Sequence, residues 1–278
     1  MAVSITTLVE NSPGQHRSLV AEYGLSFLIH SGDDRVLFDT GPSDRFLRNA
    51  AYLCEDISES VPTVVLSHGH YDHTGGLPDL LGASDRTLTV HVGAGFFTPK
   101  YALNGPAVEY NGNRFGRSEI EERGHTVVEH GADLTEVARE VFVVTNFDRT
   151  ADPNWSNPRF VVPSPTGFET DPFSDELAVV VRTTAGVILL VGCSHPGIVN
   201  IVETVRARFP EPLYAILGGT HLYEVSGTRL HDAVGLLASL NGTLLGMSHC
   251  TGEVAMDRLG ELSPLYFHNH TGTTLVVD

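Results

Sequence analysis

Four side chains of the types that bind divalent metal ions lie within six residues of one another, directly after an apolar run. They are His68, His70, Asp72 and His73, and the run before them, residues 63–66, predicts a buried strand. Neutral imidazole nitrogens and carboxylate oxygens are the usual protein ligands of zinc and of similar divalent ions. Ligand type, spacing and position after a strand together indicate a metal site rather than a His-rich surface loop.

The spacing of these four ligands suits two neighbouring ions better than one. Two ligands that are two positions apart, followed by an adjacent pair, cannot all reach a single ion comfortably. We therefore expect His68 and His70 to bind one ion and Asp72 and His73 to bind the other. Two ions side by side can hold an anionic substrate oxygen and activate a water molecule at neutral pH.

The surrounding sequence predicts the same order of elements twice, namely a hairpin, a helix and a strand. The first copy covers residues 25–66 and ends at His68, and the second covers residues 177–217 and leads to His221. This weak repeat predicts two similar β-rich halves that pack face to face, with helices outside. It also places His221 near the metals, where we expect it to act in catalysis together with Asp72.

The pattern H-x-H-x-D-H after a strand resembles the signature of the metallo-β-lactamase superfamily, and residues 36–41 resemble a second element of that family. The resemblance implies an αββα sandwich, with two mixed β-sheets and helices on the outer faces. It also implies that Asp39 orients the metal ligands from behind. The D-T-G at Asp39 is also typical of aspartic proteases, but those enzymes need two carboxylates that share a proton, and no second such motif occurs.

The resemblance covers nearly the whole chain and implies a single domain at residues 1–278. We expect a loop-rich insertion at about residues 93–175 that forms part of the active-site mouth. Within it, residues 152–172 are rich in proline and aromatic side chains, and they are predicted to form a loop that covers the metal site.

Four further segments resemble one branch of the superfamily, typified by dihydropterin-methyl ribofuranosyl-aminobenzene phosphate synthase. They are residues 24–29, 192–200, 218–222 and 248–252. In that branch, the metal is thought to hold a diphosphate leaving group while an aromatic nucleophile displaces it. The narrower resemblance therefore implies a transferase that displaces pyrophosphate from a pterin diphosphate.

The remaining ligands are sought among histidines that follow predicted strands. No histidine lies between His130 and His195, although many members of the superfamily have a ligand there. We expect His195 to replace it, and His249, after the strand predicted at residues 243–247, to be the last ligand. Cys193 lies near the usual position of a bridging aspartate; it is either a ligand or a small packed residue, and we favour the packed residue. The two-metal scheme of the family then gives two expected sets, His68, His70 and His195 for one ion and Asp72, His73 and His249 for the other.

These residues predict a metal-dependent enzyme with hydrolase-type chemistry, acting on an anionic small molecule that carries a phosphate or diphosphate. The pterin-type transferase is the first alternative, and a non-catalytic metal-binding sensor is the second. Zinc is the expected metal, with manganese, iron and magnesium as alternatives, because the same ligands accept all of these ions in different proteins.

Composition limits the partners. A formal net charge of −17 argues against nucleic acid, whose binding proteins carry basic patches. No apolar stretch is long enough to span a bilayer, and the N-terminal residues lack the features of a signal peptide. Three cysteines give no disulfide framework, which fits a reducing compartment, so we expect a cytoplasmic protein. The expected partner is a small-molecule substrate. The oligomeric state is left open.

Overall fold

The computed structural model describes residues 2–278, and these residues form seventeen strands and eight α-helices. The strands in chain order are β1 (Val3–Val9), β2 (Ser26–Ser31), β3 (Asp34–Phe38), β4 (Thr63–Val65), β5 (Thr89–Gly93), β6 (Tyr101–Asn104), β7 (Ala107–Tyr110), β8 (Thr126–His130), β9 (Leu134–Ala138), β10 (Val141–Val144), β11 (Phe160–Ser164), β12 (Gly167–Thr170), β13 (Ala178–Thr183), β14 (Gly186–Val191), β15 (Leu213–Gly218), β16 (Leu244–Met247) and β17 (Thr274–Val277). The helices are α1 (Arg45–Tyr52), α2 (Ile57–Ser60), α3 (Tyr71–Thr74), α4 (Leu77–Ala83), α5 (Arg117–Glu122), α6 (Ile198–Arg208), α7 (Gly227–Ser239) and α8 (Glu253–Leu262).

Two large mixed sheets carry the fold. The first has the strand order β17-β1-β2-β3-β4-β5-β8, and the second has the order β16-β15-β14-β13-β10-β9. Each contains an antiparallel hairpin, β2–β3 or β13–β14, whose second strand begins a run of parallel strands. The structure therefore contains the repeat predicted from the sequence. Parallel strands end at the same edge of a sheet. The residues after β3 and β4 therefore lie at one edge of the first sheet, and those after β14, β15 and β16 lie at one edge of the second.

The two sheets pack against each other through alternate side chains of their strands. Phe27 and Ile29 of β2 face the opposite sheet, where Ile188 and Leu190 of β14 meet them. Leu28, which lies between the first two, points to the other face and packs under α1 and α4. All six residues of β14 are buried, because helices α6, α7 and α8 cover its outer face. The αββα sandwich predicted from the sequence is confirmed.

A third, four-stranded sheet lies in the region predicted to be rich in loops. Its order is β12-β11-β6-β7, and residues 152–172, predicted as a loop, contain β11 and β12. The prediction of a loop there is wrong. The sequence does not predict these strands for two reasons. β7 and β12 are exposed at every position and therefore show no apolar alternation, and β11 contains Pro163, which is uncommon inside strands. The same region also supplies β8, β9 and β10 to the two large sheets.

Lys100, the only lysine in the sequence, connects the third sheet to the segment that carries the predicted ligands. Its Nζ atom lies 2.8 Å from Asp171 Oδ2 and 2.9 Å from Asp175 Oδ1, and all three side chains are buried. The second oxygen of Asp175 accepts a hydrogen bond of 2.9 Å from the backbone N–H of Gly69. This network thus holds the third sheet against the turn between His68 and His70.

None of the helices in residues 2–278 combines the length and the hydropathy that crossing a bilayer requires.

We predict that Lys100→Met destabilises the metal-free protein by about 3–5 kcal/mol, because two buried carboxylates lose their counter-ion. Urea unfolding of the purified apoprotein measures this loss. The control is Arg123→Met, which removes an exposed ion pair of 3.1 Å with Glu119 and should cost less than about 1 kcal/mol. Equal small losses for the two variants would show that the buried network does not hold the third sheet in place.

Candidate metal centre

Three imidazoles, those of His68, His70 and His195, form one group of potential metal ligands. One nitrogen of each lies within 4.8 Å of the others, and all three side chains are buried. His68 and His70 follow β4 of the first sheet, whereas His195 follows β14 of the second. Burial lowers the pKa of each imidazole well below its usual value, so these rings are neutral, which is the form that binds metal ions.

A second group contains Asp72, His73, Cys193 and His249, whose ligand atoms also lie within 4.8 Å of one another. His249 Nε2 is 3.2 Å from Asp72 Oδ2, and His73 Nε2 is 3.1 Å from Cys193 Sγ. Burial acts to raise the pKa of Asp72, but the neighbouring His73 and His249 outweigh it and hold the pKa below its usual value. The carboxylate is therefore ionised. The two groups contain the two sets expected from the sequence, with Cys193 added to the second.

Several buried nitrogens of these groups make no hydrogen bond to any of residues 2–278. They are Nε2 of His70, Nε2 of His249 and both ring nitrogens of His195. A buried polar atom without a partner costs about 1–3 kcal/mol, so such atoms call for a partner that the chain itself does not supply. Imidazoles with a carboxylate and a thiol are a donor set that suits zinc and similar ions. The residues present therefore fit the metals that the sequence implies.

Asp39 lies directly behind the second group. Its Oδ2 atom is 2.6 Å from His73 Nδ1, and its Oδ1 accepts a hydrogen bond of 2.7 Å from the backbone N–H of Ser67. The Ser67 hydroxyl donates to Asp39 Oδ2 and lies 2.9 Å from His68 Nδ1. Burial acts to lower the pKa of His73, but the Asp39 carboxylate outweighs it and raises the pKa to about 9. Asp39 thereby fixes the ring so that its other nitrogen, Nε2, faces the ligand group.

Two further carboxylates support the site, although no sequence pattern indicates them. Glu10 Oε1 accepts a hydrogen bond of 2.7 Å from the backbone N–H of His249. Glu176 Oε2 lies 3.9 Å from His68 Nδ1, and burial raises the pKa of this carboxyl to about 8. Glu10 follows β1, and Glu176, which comes directly after Asp175, lies two residues before β13. Neither residue matches a metal-binding spacing, so only the sheet topology identifies them.

Cys193, for which the sequence leaves open a ligand or a small packed residue and favours the packed residue, has its thiol among the ligand atoms of the second group. Its Sγ atom lies 3.1 Å from His73 Nε2 and 3.3 Å from the Sγ atom of Cys250. This geometry favours the alternative that the sequence left open, in which Cys193 is a ligand. The signal was its position, close to that of a bridging aspartate in related proteins.

His195 is held from two sides. The ring of Phe173 stacks on it with a centroid separation of 3.8 Å and an angle of 9° between the planes. The indole Nε1 of Trp155 donates a hydrogen bond of 2.8 Å to the backbone carbonyl of His195. Both aromatic residues come from the region between β10 and β13, so this region contributes to the position of a candidate ligand.

A cavity of about 260 Å³ opens onto both ligand groups. Its walls are formed by Tyr23, His70, Tyr71, Asp72, Asn111, Arg159, Phe160, Cys193, His221 and Tyr223. The guanidinium of Arg159 is hydrogen-bonded to the Tyr223 hydroxyl at 2.9 Å and pairs with Glu224. Burial raises the pKa of Tyr23 and of Tyr223, so their hydroxyls stay protonated and can donate. The cavity thus presents hydrogen-bond donors beside the candidate ligands.

A second cavity, of about 320 Å³, adjoins the first and shares His221 with it. Trp155, Asn157, Glu224 and Arg229 are among its other walls. His221 is buried and has a left-handed backbone with φ of 50°. The structure therefore places His221 on the boundary between the two cavities, and Asp72 lines the first cavity with it.

Comparisons with known proteins agree with this architecture. Residues 19–237 match the sequence model of the metallo-beta-lactamase superfamily. A curated protein of Methanocaldococcus jannaschii, named 7,8-dihydropterin-6-methyl-4-(beta-D-ribofuranosyl)-aminobenzene-5'-phosphate synthase, is 26% identical over 268 residues, which are 90% of this chain and 88% of that protein. A solved structure described as a metal-dependent hydrolase of the beta-lactamase superfamily superposes with a TM-score of 0.85 and 30% identity, over 99% of both chains. A diphosphatase of the PhnP family shares the fold, with a TM-score of 0.56 and 13% identity over 100% of this chain and 98% of that one.

We predict that His68→Ala and His73→Ala each lower the metal content of the purified protein, because each removes one ligand from a different group. Elemental analysis after dialysis gives the number of ions per chain. His231→Ala, which changes an exposed histidine on α7, is the control and should keep the full content. If both ligand variants also keep it, the two groups do not bind metal ions.

We also predict that Asp39→Asn weakens metal binding by about 10–100-fold, since an amide no longer supplies the charge that orients His73. Competition with a chromophoric chelator measures the affinity. Asp79→Asn, a change of the same kind at an exposed position of α4, should leave it unaltered. An unchanged affinity in Asp39→Asn would mean that this carboxylate only stabilises the fold.

Proposed function

Since the chain belongs to the metallo-beta-lactamase superfamily, we propose that it is a metal-dependent hydrolase of an anionic small molecule that carries a phosphate or diphosphate group. The observation that supports this proposal is the cavity where candidate ligands meet a guanidinium and several phenols. His70, Asp72 and Cys193 lie on one side of it, and Arg159 lies on another. An anionic group that enters the cavity would be contacted from both sides.

The proposed ligands divide into the two groups of the site. His68, His70 and His195 would hold one ion, and Asp72, His73 and His249 would hold the other together with Cys193. Divalent ions held there would supply Lewis acidity toward a phosphoryl oxygen and a water molecule activated at neutral pH. Zinc is the metal expected from the thiol and imidazole donors, and manganese, iron and magnesium are alternatives.

The chain itself binds and orients the substrate in this proposal. The Arg159 guanidinium would form charge-assisted hydrogen bonds to the phosphate oxygens, and it is already oriented by Tyr223 and Glu224. The ionised Asp72 would orient the attacking water, and His221 would contact the substrate where the cavities join. In the reaction, the water oxygen bonds to phosphorus while the bond from phosphorus to the leaving oxygen breaks, and a proton from the water passes to the leaving group.

A transferase is a second candidate function, and the second cavity favours it. A transfer reaction needs two organic substrates in contact, and two cavities that share His221 could hold one each. The name of the methanogen relative, a synthase whose product contains a dihydropterin, a ribofuranosyl group and an aminobenzene, agrees with such a reaction. Here an aromatic nucleophile would form a bond to a carbon atom of a pterin while the carbon–oxygen bond to the diphosphate breaks. Pyrophosphate would leave, and the nucleophile would lose a proton.

Two assays test the proposals. Metal-loaded protein should hydrolyse a generic phosphodiester such as bis(p-nitrophenyl) phosphate, lose this activity with a chelator and regain it with zinc or manganese. For a diphosphate ester in ¹⁸O-water, hydrolysis at phosphorus puts the label in the released phosphate, whereas transfer releases unlabelled pyrophosphate only when the nucleophile is present. A protein that retains its ions but turns over neither type of substrate would be a metal-binding sensor rather than an enzyme.

For Arg159→Gln, we expect KM for the phosphate substrate to rise about tenfold or more, because a charge-assisted hydrogen bond contributes about 1.5–3 kcal/mol. The metal content should not change, since no proposed ligand contacts this side chain. Steady-state kinetics with elemental analysis gives both values. Arg206→Gln, at an exposed position of α6, is the matched control. An unchanged KM in Arg159→Gln would show that the anion binds elsewhere.

A further inference from the structure

A third group of metal-binding atoms lies beside the two already described. It consists of the thiols of Cys193 and Cys250 and a ring nitrogen of His221, all within 4.8 Å of one another. The two sulfur atoms are 3.3 Å apart, and all three side chains are buried. All three residues follow parallel strands of the second sheet, after β14, β15 and β16.

The backbone brings these residues unusually close. A side chain at Gly219 would place its Cβ atom 2.6 Å from Cys250 Sγ, so only glycine permits this approach. The backbone N–H of His221 donates a hydrogen bond of 3.2 Å to the same sulfur. The N–H and the hydroxyl of Thr220 both donate hydrogen bonds to the hydroxyl oxygen of Thr251. The segments after β15 and β16 are thus fastened to each other around the Cys250 thiol.

The imidazole of His221 is the part of this group that lacks a partner. His221 is only 4% exposed, and neither of its ring nitrogens makes a hydrogen bond to any of residues 2–278. The nearest carboxylate oxygen, on Glu224, lies 3.5 Å from Nε2. A buried imidazole costs free energy unless something satisfies its nitrogens, and the ring reaches both thiols of the group.

We propose that Cys193, His221 and Cys250 form a third, sulfur-rich cation site that shares Cys193 with the Asp72 group. Two sulfurs bound to one tetrahedral zinc ion at about 2.3 Å lie roughly 3.8 Å apart, so the two thiols, 3.3 Å apart, would need to separate by only about 0.5 Å. Two thiolates favour zinc, cadmium or cobalt over magnesium, because thiolate is a soft ligand. The site selects a borderline or soft divalent ion.

The position of this site gives His221 a specific role. His221 lines both cavities, so a cation that it holds would face the substrate at their junction. His221 then acts on the substrate side by holding an ion rather than by transferring a proton. The proposal depends only on the geometry of the three residues, and it holds whether the enzyme is a hydrolase or a transferase.

Anaerobic titration with Co²⁺ tests the proposal, because cobalt bound to thiolate absorbs in the near ultraviolet. The wild type should bind three equivalents, one more than the His68 group and the Asp72 group take together, with sulfur-to-cobalt absorption. Cys250→Ser should lose one equivalent and about half or more of that absorption, since only Cys193 can still contribute. Cys54→Ser, which changes an exposed thiol, should lose neither.

Two further variants separate the third site from its neighbour. His249→Ala removes a ligand of the Asp72 group only, so it should lose an equivalent of cobalt while the absorption that depends on Cys250 persists. His221→Gln should lose the same equivalent as Cys250→Ser, and circular dichroism confirms that each variant is folded. No activity is measured, so failure of the phosphoester assay does not affect the result.

Either of two results would overturn the proposal. One is a folded Cys250→Ser protein that binds as many cobalt ions as the wild type with the same absorption. The other is a count of one reactive thiol, instead of three, in anaerobically denatured wild-type protein, because Cys193 and Cys250 would then form a disulfide and could not bind an ion.

Discussion

The ends of parallel strands from two different sheets meet at one edge of the sandwich, and the His68 group and the Asp72 group of candidate ligands both depend on that meeting. His68 and His73 come from the segment after β4, whereas His195 and His249 come from segments after β14 and β16. Neither sheet alone completes either of the first two groups. The face-to-face packing of β2 and β3 on β13 and β14 therefore sets the distances between the ligands, and a shift of one sheet would separate them.

Many buried polar side chains lie at this edge, and carboxylates around them stabilise the arrangement. Asp39, Glu10 and Asp175 each accept a backbone N–H next to a ligand, and they therefore hold the chain as well as the side chains. The backbone of Asp39 has φ of 59°, and that of His249 has φ of 53°, so the chain takes left-handed turns where the strands end. Such turns cost free energy, and packing and hydrogen bonds must outweigh that cost.

Much of this could be predicted from the sequence because the information is local or repeated. His68, His70, Asp72 and His73 stand together after one strand, and the repeated order of hairpin, helix and strand predicted that His221 would lie nearby. The superfamily and the αββα sandwich are confirmed, whereas the ligand and catalytic roles stay proposals.

The features of the fold and of the site that the sequence does not predict are those that depend on long-range contacts. Glu10 and Glu176 become part of the site only when distant strands pair, and neither belongs to a spacing that is typical of metal ligands. The exposed strands β7 and β12 lack the alternation that marks a half-buried strand. The sequence alone does not decide between a ligand and a packed residue at Cys193, because a small thiol is common in cores; the distance of its Sγ atom to His73 Nε2 favours the ligand.

Because both of the first two groups draw donors from each sheet, ion binding and sheet packing form one linked equilibrium. An ion that binds only the assembled sandwich adds about 4.1 kcal/mol of stability at a free concentration a thousand times its dissociation constant. Any substitution that loosens the interface around Phe27 or Leu190 therefore weakens ion affinity from a distance, without touching a donor. In a cell, ion supply would then set how much of this chain stays folded, as well as how much of it is active.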